Sequence, residues 1–232
     1  MLQWLQRFVE EFRFVFIEGN RYEYIVNGLF VTIGVSIAAV LLGIALGFLL
    51  AIMRLTEVRK GKKTVLSMIA SVYIDIVRGT PAVLQLLIMY FVVFKSQMGV
   101  VAAILSFGMN SAAYVSEIMR AGIMAVDNGQ MEAGRSLGLS YGLTMRYVIV
   151  PQAVKNILPA LGNEFIQLIK ETSILGYISI YDLTKAANYI TSRTYRMFLP
   201  LIATGVIYYV LTKVLSFGIG KMERRLRESD QG

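Results

Sequence analysis

The chain has 232 residues with a formal net charge of +8, and 56% of its residues are hydrophobic whereas only 16% are charged. A soluble domain carries about 25% charged residues, so this much apolar surface must face lipid, and a soluble globular protein is excluded. His and Cys are both absent, which removes the commonest general base, the commonest metal ligand and all thiol chemistry, so neither a hydrolase nor a metal site is expected.

Residues 1–22 predict a helix that lies on the membrane surface. Leu5, Phe8, Phe12 and Val15 recur at helical spacing, with charged residues on the other side. This pattern is typical of interfacial helices, and Trp4 suits the boundary between water and lipid. The N-terminus lacks the regions of a signal peptide, so the first hydrophobic span is expected to be retained.

Five apolar stretches predict five transmembrane helices in an all-α membrane protein that forms one domain, 1–232. Each stretch is long enough to cross a hydrocarbon core of about 30 Å. The second is interrupted by Asp75, Arg78, Gly79 and Pro81. The predicted spans are 24–53, 64–94, 99–122, 157–180 and 197–220.

Basic residues in two connections predict the direction of the chain. The loop Arg54–Lys63 and the tail after Gly220 are rich in Lys and Arg, and such segments stay on the cytoplasmic side. Five spans with the N-terminus outside and the C-terminus cytoplasmic satisfy both constraints, whereas four or six do not. The positive charge is explained in this way, and without a basic stripe or motif it does not indicate nucleic-acid binding.

A polar connection, residues 127–156, lies between the third and fourth spans and is cytoplasmic in this topology. It predicts two short helices joined at 138–140. Ser140 is the expected N-cap of the second helix, and Pro151 is expected to end or kink it. An ordered loop of this length in a compact protein usually has a function.

This connection resembles the EAA loop of binding-protein-dependent ABC import permeases. Residues 132–134, Gly138 and 148–151 follow the family's order of Glu-Ala-Ala, Gly and Ile-x-Leu-Pro. The departures are conservative: Gly134 replaces the second Ala, and Val replaces Ile and Leu. Gly134 is expected to weaken the first short helix by up to about 1 kcal/mol relative to Ala, without altering how the helix docks.

Three further segments are similar to the polar amino-acid uptake branch of the same family, and the match covers about residues 20–225. Together with the loop they form an ordered set that is more specific than the loop alone. The matching residues are Arg78-Gly79-Thr80-Pro81, then Ala113-Tyr114 with Glu117 and Arg120, then Leu158-Pro159 with Asn163 and Lys170-Glu171-Thr172-Ser173.

The resemblance implies a type I ABC importer permease in the bacterial cytoplasmic (inner) membrane, a multi-pass and non-catalytic subunit with a cytoplasmic coupling helix. It further implies two copies of an ABC ATPase subunit, a second permease chain expected to be a second copy of this one, an external amino-acid-binding protein, an amino-acid substrate and membrane lipid as partners. ATP-Mg belongs to the ATPase, because this chain has no phosphate loop and is expected to bind no cofactor. The residues implied to contact the ATPase are Glu132, Ala133, Gly134, Ser136, Leu137, Gly138, Leu139 and Ser140.

Charged side chains inside membrane spans are costly and indicate function. Asp75 and Arg78 are three positions apart, as are Glu117 and Arg120. Each spacing permits a structural ion pair on one helix face, and a role in substrate binding is the alternative. The candidate substrate-binding residues are Glu164, Asn163, Gln167, Asn110, Ser111, Glu117, Arg78 and Asp75.

Glu164 suggests a basis for substrate selectivity. It shares a helix face with Gln167 and Glu171, and no basic residue lies three or four positions from it. A cationic substrate side chain that neutralised Glu164 would favour arginine, lysine or histidine over neutral amino acids. The alternatives are that Glu164 is protonated, or that it pairs with Arg78 from another span.

The sequence disfavours three other functions. A secondary transporter or channel driven by an ion gradient is disfavoured by five spans without an inverted repeat and by the ordered loop. A membrane enzyme is disfavoured because the chain lacks His, Cys and a recognisable pair of catalytic carboxylates. A purely structural anchor gains nothing from charges inside its spans.

Overall fold

A computed structural model describes residues 2–228, and within this range helices are joined by short turns. A π-helical turn at Arg13–Ile17 and a 3₁₀ turn at Glu18–Asn20 follow the first helix, and another π-helical turn, Ile88–Val93, extends the fourth. The α-helices are α1 (Leu2–Phe12), α2 (Tyr22–Lys60), α3 (Val65–Gly79), α4 (Ala82–Leu87), α5 (Gly99–Met124), α6 (Asn128–Ser136), α7 (Tyr141–Thr144), α8 (Val150–Glu171), α9 (Leu183–Thr194) and α10 (Phe198–Glu228).

Among the described residues, α2, α5 and α10 are each long and apolar enough to cross a membrane. The pair formed by α3 and by α4 with its π-helical extension passes the same test together, bent by 103°. The all-α membrane fold is therefore confirmed. The count of five spans and the external N-terminus stay predictions.

The bend in the second predicted span lies at Thr80–Pro81, where the sequence predicted an interruption. Pro81 has no backbone N–H, so the carbonyl of Val77 loses the partner that would continue the helix. Thr80 and Pro81 both adopt extended backbone conformations. One helix therefore ends at Gly79 and a second begins at Ala82 in a new direction.

Glycines allow α2 and α5 to pack closely where residues 42–47 meet residues 108–115. A Cβ atom at Gly43 would lie 2.8 Å from the Cβ of Ser111, and one at Gly47 would lie 2.6 Å from a methyl of Val115. From the other helix, a Cβ at Gly108 would lie 2.6 Å from Leu42. Side chains at these positions would push the helices apart, so the small residues fix their separation.

The main apolar core lies between α2, α5 and α8 and continues onto α4 and a 3₁₀ turn at Thr172–Ile178. It places α5 at the centre of the bundle, because α2, α4 and α8 all bury residues against it. The buried members are Val35, Ala39, Val40, Leu86, Ala103, Phe107, Leu168, Leu175 and Ile178.

Pro151 does not end a separate short helix, so that part of the expectation is wrong; a π-helical turn distorts the helix directly before it. The chain runs from α7 through a π-helical turn at Met145–Ile149 directly into α8, and Pro151 lies in the first turn of α8. Proline is tolerated inside this continuous helical stretch because the wider π-helical turn before it avoids the clash of its ring with the preceding carbonyls.

The helix that contains most of the fourth predicted span has bounds different from those of the span. The helix begins at Val150, not 157, and ends at Glu171, after which the backbone tightens into the 3₁₀ turn. A helix that the sequence pattern did not predict, α9, follows. The carboxylate of Asp182 caps it by accepting hydrogen bonds from the backbone N–H groups of Thr184 (2.9 Å) and Lys185 (3.0 Å).

The N-terminal segment divides into an exposed helix and a buried anchor. Trp4, Phe8 and Phe12 of α1 are exposed, and this apolar face is free to contact lipid. Val15 was expected on the same face but does not lie there. The π-helical turn rotates it inward, where it and Phe16 are buried. The anchor packs on a cluster formed by Ile25, Leu183, Ala186, Ile190 and Leu199.

Candidate functional site

The polar centre of the bundle is a hydrogen bond between α5 and α8. The hydroxyl of Ser111 donates to the carboxylate oxygen Oε1 of Glu164 at 2.8 Å. Ser111 is fully buried where α2 and α5 meet at Gly43, and Glu164 is half-buried. Two of the predicted substrate residues are thus brought together from positions far apart in sequence.

A second polar contact, made by Gln85, adjoins the first and was not predicted. Its amide nitrogen donates to the carbonyl oxygens of Val77 (2.8 Å) and Thr80 (3.1 Å) and to the Thr80 hydroxyl (2.8 Å). Its amide oxygen accepts from the side chain of Asn110 at 3.0 Å. Gln85 therefore serves the carbonyl that Pro81 leaves without a partner, and it connects the bend to α5. A lone Gln in an apolar run after a proline was the available signal.

The remaining polar residues of α8 form a separate group. Gln167 donates to Glu171 at 3.2 Å, one helical turn further along. Asn163 is exposed and, within residues 2–228, makes no hydrogen bond to another predicted site residue. The stripe on α8 is thus divided: Glu164 bonds across to α5, whereas Gln167 and Glu171 bond to each other.

Arg78 and Asp75 do not pair with each other, although their spacing permits it. The guanidinium of Arg78 lies over the ring of Tyr114, 5.3 Å from its centroid. Both Arg78 and Asp75 are exposed on α3. Arg78 thus lies beside α5, one helical turn from Ser111, and its contact is with an aromatic ring and not with Glu164.

Glu117 belongs to a different cluster, on the α6 side of α5. It accepts from Arg54 of α2 and from Arg120 one turn along α5, the latter at 2.9 Å. The spacing predicted the Arg120 contact, but Arg54 was interpreted only as a loop residue that sets orientation. Arg54 and Arg120 line a cavity of about 450 Å³ that also reaches Asp127 and Tyr141.

The predicted coupling residues form a compact exposed segment with capped helices. Asp127 caps α6 by accepting from the N–H of Gly129 at 2.6 Å, and Ser140 caps α7, as predicted, by accepting from Leu143 at 3.4 Å. Between them Gly138 has φ +84°, a conformation that favours glycine. The segment exposes Glu132, Ala133, Ser136, Leu137, Gly138 and Ser140, whereas Leu139 is half-buried and Gly134 is buried.

Two backbone hydrogen bonds close the end of α6. The N–H of Leu139 bonds the carbonyl of Gly134, and the N–H of Gly138 bonds that of Arg135, both at 3.1 Å. This pairing is the Schellman motif. It fixes the turn that presents Leu137, whose side chain is 83% exposed.

Gly134 has a packing role that its lower helix propensity relative to Ala did not reveal. A Cβ atom at this position would lie 2.5 Å from the methyl of Thr144. Thr144 is fully buried, and its hydroxyl donates to the carbonyl of Ser140 at 3.1 Å. This glycine therefore allows α6 to pack directly on α7, whereas its effect on docking to the ATPase stays a prediction.

An apolar cluster joins this segment to α8. Val126, Ile149 and Ala153 are buried there, packed against Met131 of α6 and Met145 of the π-helical turn. Since α7 runs into α8 without a break, a displacement of the segment moves one end of α8. Glu164 lies on the same helix, about 22 Å from Ile149 at 1.5 Å per residue.

Known proteins share this arrangement and its sequence. Residues 39–228 match the family of the binding-protein-dependent transport system inner membrane component. The chain belongs to this family. Membership confirms the resemblance that the EAA loop indicated, and it makes the chain a multi-pass component of a bacterial inner membrane.

Curated relatives cover almost all of this inner membrane component. A putative glutamine transport system permease protein of Rickettsia typhi is 40% identical over 207 residues, which are 88% of this chain and 93% of that protein. The arginine transport system permease protein of Bacillus subtilis is 41% identical over 213 residues, 89% of this chain and 94% of that protein.

Solved structures agree with the fold. The crystal structure of an amino acid ABC transporter with histidines has a chain with a TM-score of 0.82 and 42% identity, covering 90% of this inner membrane component and 98% of that chain. The inward-facing MetNI methionine ABC transporter gives a TM-score of 0.76 at 18% identity, covering 88% and 97%, a likeness of fold alone. The expected ABC importer permease fold is confirmed.

Proposed function

We propose that this inner membrane component is the permease subunit of an ATP-driven importer of polar amino acids. Relatives at about 40% identity are named for glutamine and for arginine transport. The geometry is suited to such work, because a polar contact inside the bundle and an exposed, capped segment at its edge share one continuous helix, α8.

The topology in this proposal has five spans, with α8 among them, an external N-terminus and a cytoplasmic C-terminus. The basic loop Arg54–Lys63 and the basic end of α10 then lie in the cytoplasm, as the positive-inside rule requires. The α6–α7 segment is cytoplasmic as well. Helix α1 lies along the outer membrane surface, with Trp4 and Phe8 toward lipid.

In this proposal the α6–α7 segment docks into a cleft of an ABC ATPase. The observation that carries the proposal is that this exposed, capped segment continues without a break into α8. Its caps and Schellman turn hold Leu137 and Glu132 outward on a rigid support, so movement of an ATPase is transmitted and not absorbed. Two ATPase copies bind and hydrolyse ATP-Mg, and this chain performs no catalytic step. Closure of the ATPases displaces the segment and tilts α8.

A second copy of the chain and an external amino-acid-binding protein complete the importer. Two permeases form the pathway between them, and the binding protein delivers the amino acid from outside. The substrate meets Asn110, Ser111 and Glu164, with Asn163 and Gln167 further along α8.

Glu164 recognises the positive charge of a basic amino acid in this proposal. Within the described residues, its one bond to another helix is to the neutral hydroxyl of Ser111, which leaves the carboxylate charge uncompensated, and Arg78 is stacked on Tyr114 instead. A guanidinium or ammonium group of the substrate supplies the missing countercharge. Glutamine lacks that charge, so Glu164 stabilises its binding less.

Uptake by proteoliposomes containing the purified complex and its binding protein tests this role. In Glu164→Gln, we expect the ratio of arginine to glutamine uptake to fall roughly tenfold, since a hydrogen bond to a charged group contributes about 1.5–3 kcal/mol. Glu57→Gln, which removes a half-buried carboxylate elsewhere on the chain, is the control and should keep the ratio. Glu164→Asp keeps the charge and should keep the preference.

An unchanged ratio in Glu164→Gln would remove the selectivity role. If Glu164→Gln stops both uptakes, the aspartate variant decides the question: loss of arginine preference in Glu164→Asp, with uptake retained, also rejects recognition by charge.

A further inference from the structure

Helix α3 presents a carboxylate on an otherwise apolar exposed face. Met68, Val72, Asp75 and Gly79 follow one another along the helix at intervals of three and four residues, and all four are exposed. Leu66, Ile69 and Ile76 flank this stripe and are exposed too. Lipid cannot stabilise a carboxylate, so this face, the α3 face, requires a polar partner at Asp75.

The part of the chain that the structure describes does not supply that partner. Within residues 2–228, Asp75 forms no ion pair and no hydrogen bond. The nearest basic residue in sequence, Arg78, has its guanidinium over Tyr114 and forms no ion pair in the same range. One acid and one base therefore stand one helical turn apart on an exposed surface, each without an opposite charge.

This surface is complementary to itself. In a two-fold symmetric dimer, each contact between two residues of different copies occurs twice, with the roles of the copies exchanged. Asp75 of each copy can therefore meet Arg78 of the other. The two positions are offset by about 4.5 Å along the helix, a distance that two crossing helices can span. A guanidinium stacked on a ring keeps its in-plane N–H groups for a carboxylate.

We propose that a second copy of this chain covers the α3 face, with Asp75 of each copy paired to Arg78 of the other. The inference rests on the proposed use of two permease copies and adds where they meet. It places the bends at Thr80–Pro81 of the two copies beside each other. Tyr114 then supports a guanidinium that belongs to the interface and not to the substrate.

Co-expression of two differently tagged chains tests the pairing. Asp75→Arg on one chain and Arg78→Asp on the other give a mixed dimer in which both cross-copy pairs join opposite charges, one of them with its polarity reversed. Within each single chain the two positions then carry like charges, so pairing inside one helix is lost in every combination. The mixed dimer isolates the cross-copy contact.

Sequential pull-down on the two tags is the measurement, with wild-type chains bearing the same tags as the reference. The measured quantity is the ratio of mixed dimers to self-paired dimers. We expect this ratio to be at least about tenfold higher for the two variants than for the tagged wild-type chains, because like charges facing each other are strongly disfavoured. Equal proportions would overturn the pairing. Wild-type chains that never co-purify would overturn the second copy as the partner.

A disulfide test keeps the charges intact and avoids variants that fail to fold. The chain has no cysteine, so Val72→Cys and Val214→Cys each introduce one thiol. Both valines are exposed in apolar helices, at 58% and 64%, but only Val72 lies on the α3 face. We expect mild oxidation in membranes to dimerise Val72→Cys and not Val214→Cys; equal dimerisation of both, or none of Val72→Cys, contradicts the interface.

Amino-acid uptake by the same preparations separates this inference from the proposed function. If uptake is normal while both interface tests fail, the importer stands and its copies meet elsewhere. If uptake itself is absent from the wild-type complex, the proposed function fails whatever the tests on α3 give.

Discussion

The α5–α8 contact and the α6–α7 segment are built in opposite ways. The first joins Ser111 to Glu164 across 53 positions of sequence and is largely enclosed by helices. The second is exposed and is held by bonds between near neighbours, such as Leu139 to Gly134 and Leu143 to Ser140. A site that meets a small solute needs side chains gathered from several helices, whereas a surface that meets a protein needs a locally rigid shape.

The difference also explains how the two regions can act on each other. The exposed segment has its own caps and turns, so a force on it does not first unfold it. It is joined without a break to α8, which carries Glu164 at a distance from the segment. The comparison therefore predicts that changes in the segment alter coupling, and changes at the helix contact alter stability or selectivity.

The largest expected effect comes from the tip of the segment. Leu137→Asp should lower ATP-driven uptake roughly 30-fold or more, because an apolar side chain at the centre of a docked interface carries about 2 kcal/mol or more. Thermal unfolding of the purified chain should not change, since Leu137 contacts solvent. Uptake and co-purification of the ATPase are measured together.

Leu137→Met is the matched control, since it keeps an apolar side chain of similar volume, and it should retain uptake. Wild-type uptake by Leu137→Asp, with the ATPase still bound, would show that the segment tip does not couple.

A smaller effect is expected where α2 meets α5. Gly43→Ala places a Cβ atom 2.8 Å from that of Ser111, so the helices must separate or Ser111 must move away from Glu164. Overpacking of this kind costs about 1–3 kcal/mol, and we expect the thermal unfolding temperature in detergent to fall.

Gly34→Ala gives the control on the same helix, because a Cβ there meets nothing within 4 Å, and its unfolding temperature should be unchanged or slightly raised by better helix propensity. If the two alanine variants unfold alike, the close α2–α5 contact is not what fixes Ser111.

The smallest effect is expected inside the segment. Gly134→Ala should destabilise by roughly 1 kcal/mol, because overpacking against Thr144 exceeds the gain in helix propensity. Thr144→Ser removes the obstructing methyl and keeps the hydroxyl that bonds Ser140, so the double variant should regain or exceed wild-type stability. The unfolding temperatures of the wild type, the two single variants and the double variant form a double-mutant cycle. If Gly134→Ala alone raised the unfolding temperature, the packing role would be rejected.

Local signals made much of the α6–α7 segment predictable. Ser140 before a short helix and Gly138 between two helices act on neighbours a few residues away, so sequence suffices to place them. The apolar runs of α2 and α5 were predictable for the same reason, since length and composition decide them.

Contacts between helices were not predictable from one sequence. Gln85 connects the bend to α5 because Pro81 leaves the carbonyl of Val77 without a partner and because Asn110 lies on the facing helix. Gly134 is required for packing because Thr144 lies against it. Arg54 was assigned to a loop by its charge, yet α2 continues through it and brings it to Glu117. Periodicity identifies faces, but it does not say which faces meet.

Uptake of a labelled amino acid is measured most directly in proteoliposomes that contain the complete complex, with ATP or a non-hydrolysable analogue inside. If the α6–α7 segment passes the movement of an ATPase into α8, uptake should require both ATP hydrolysis and the external binding protein. Uptake that persists at the same rate with the analogue would contradict the account.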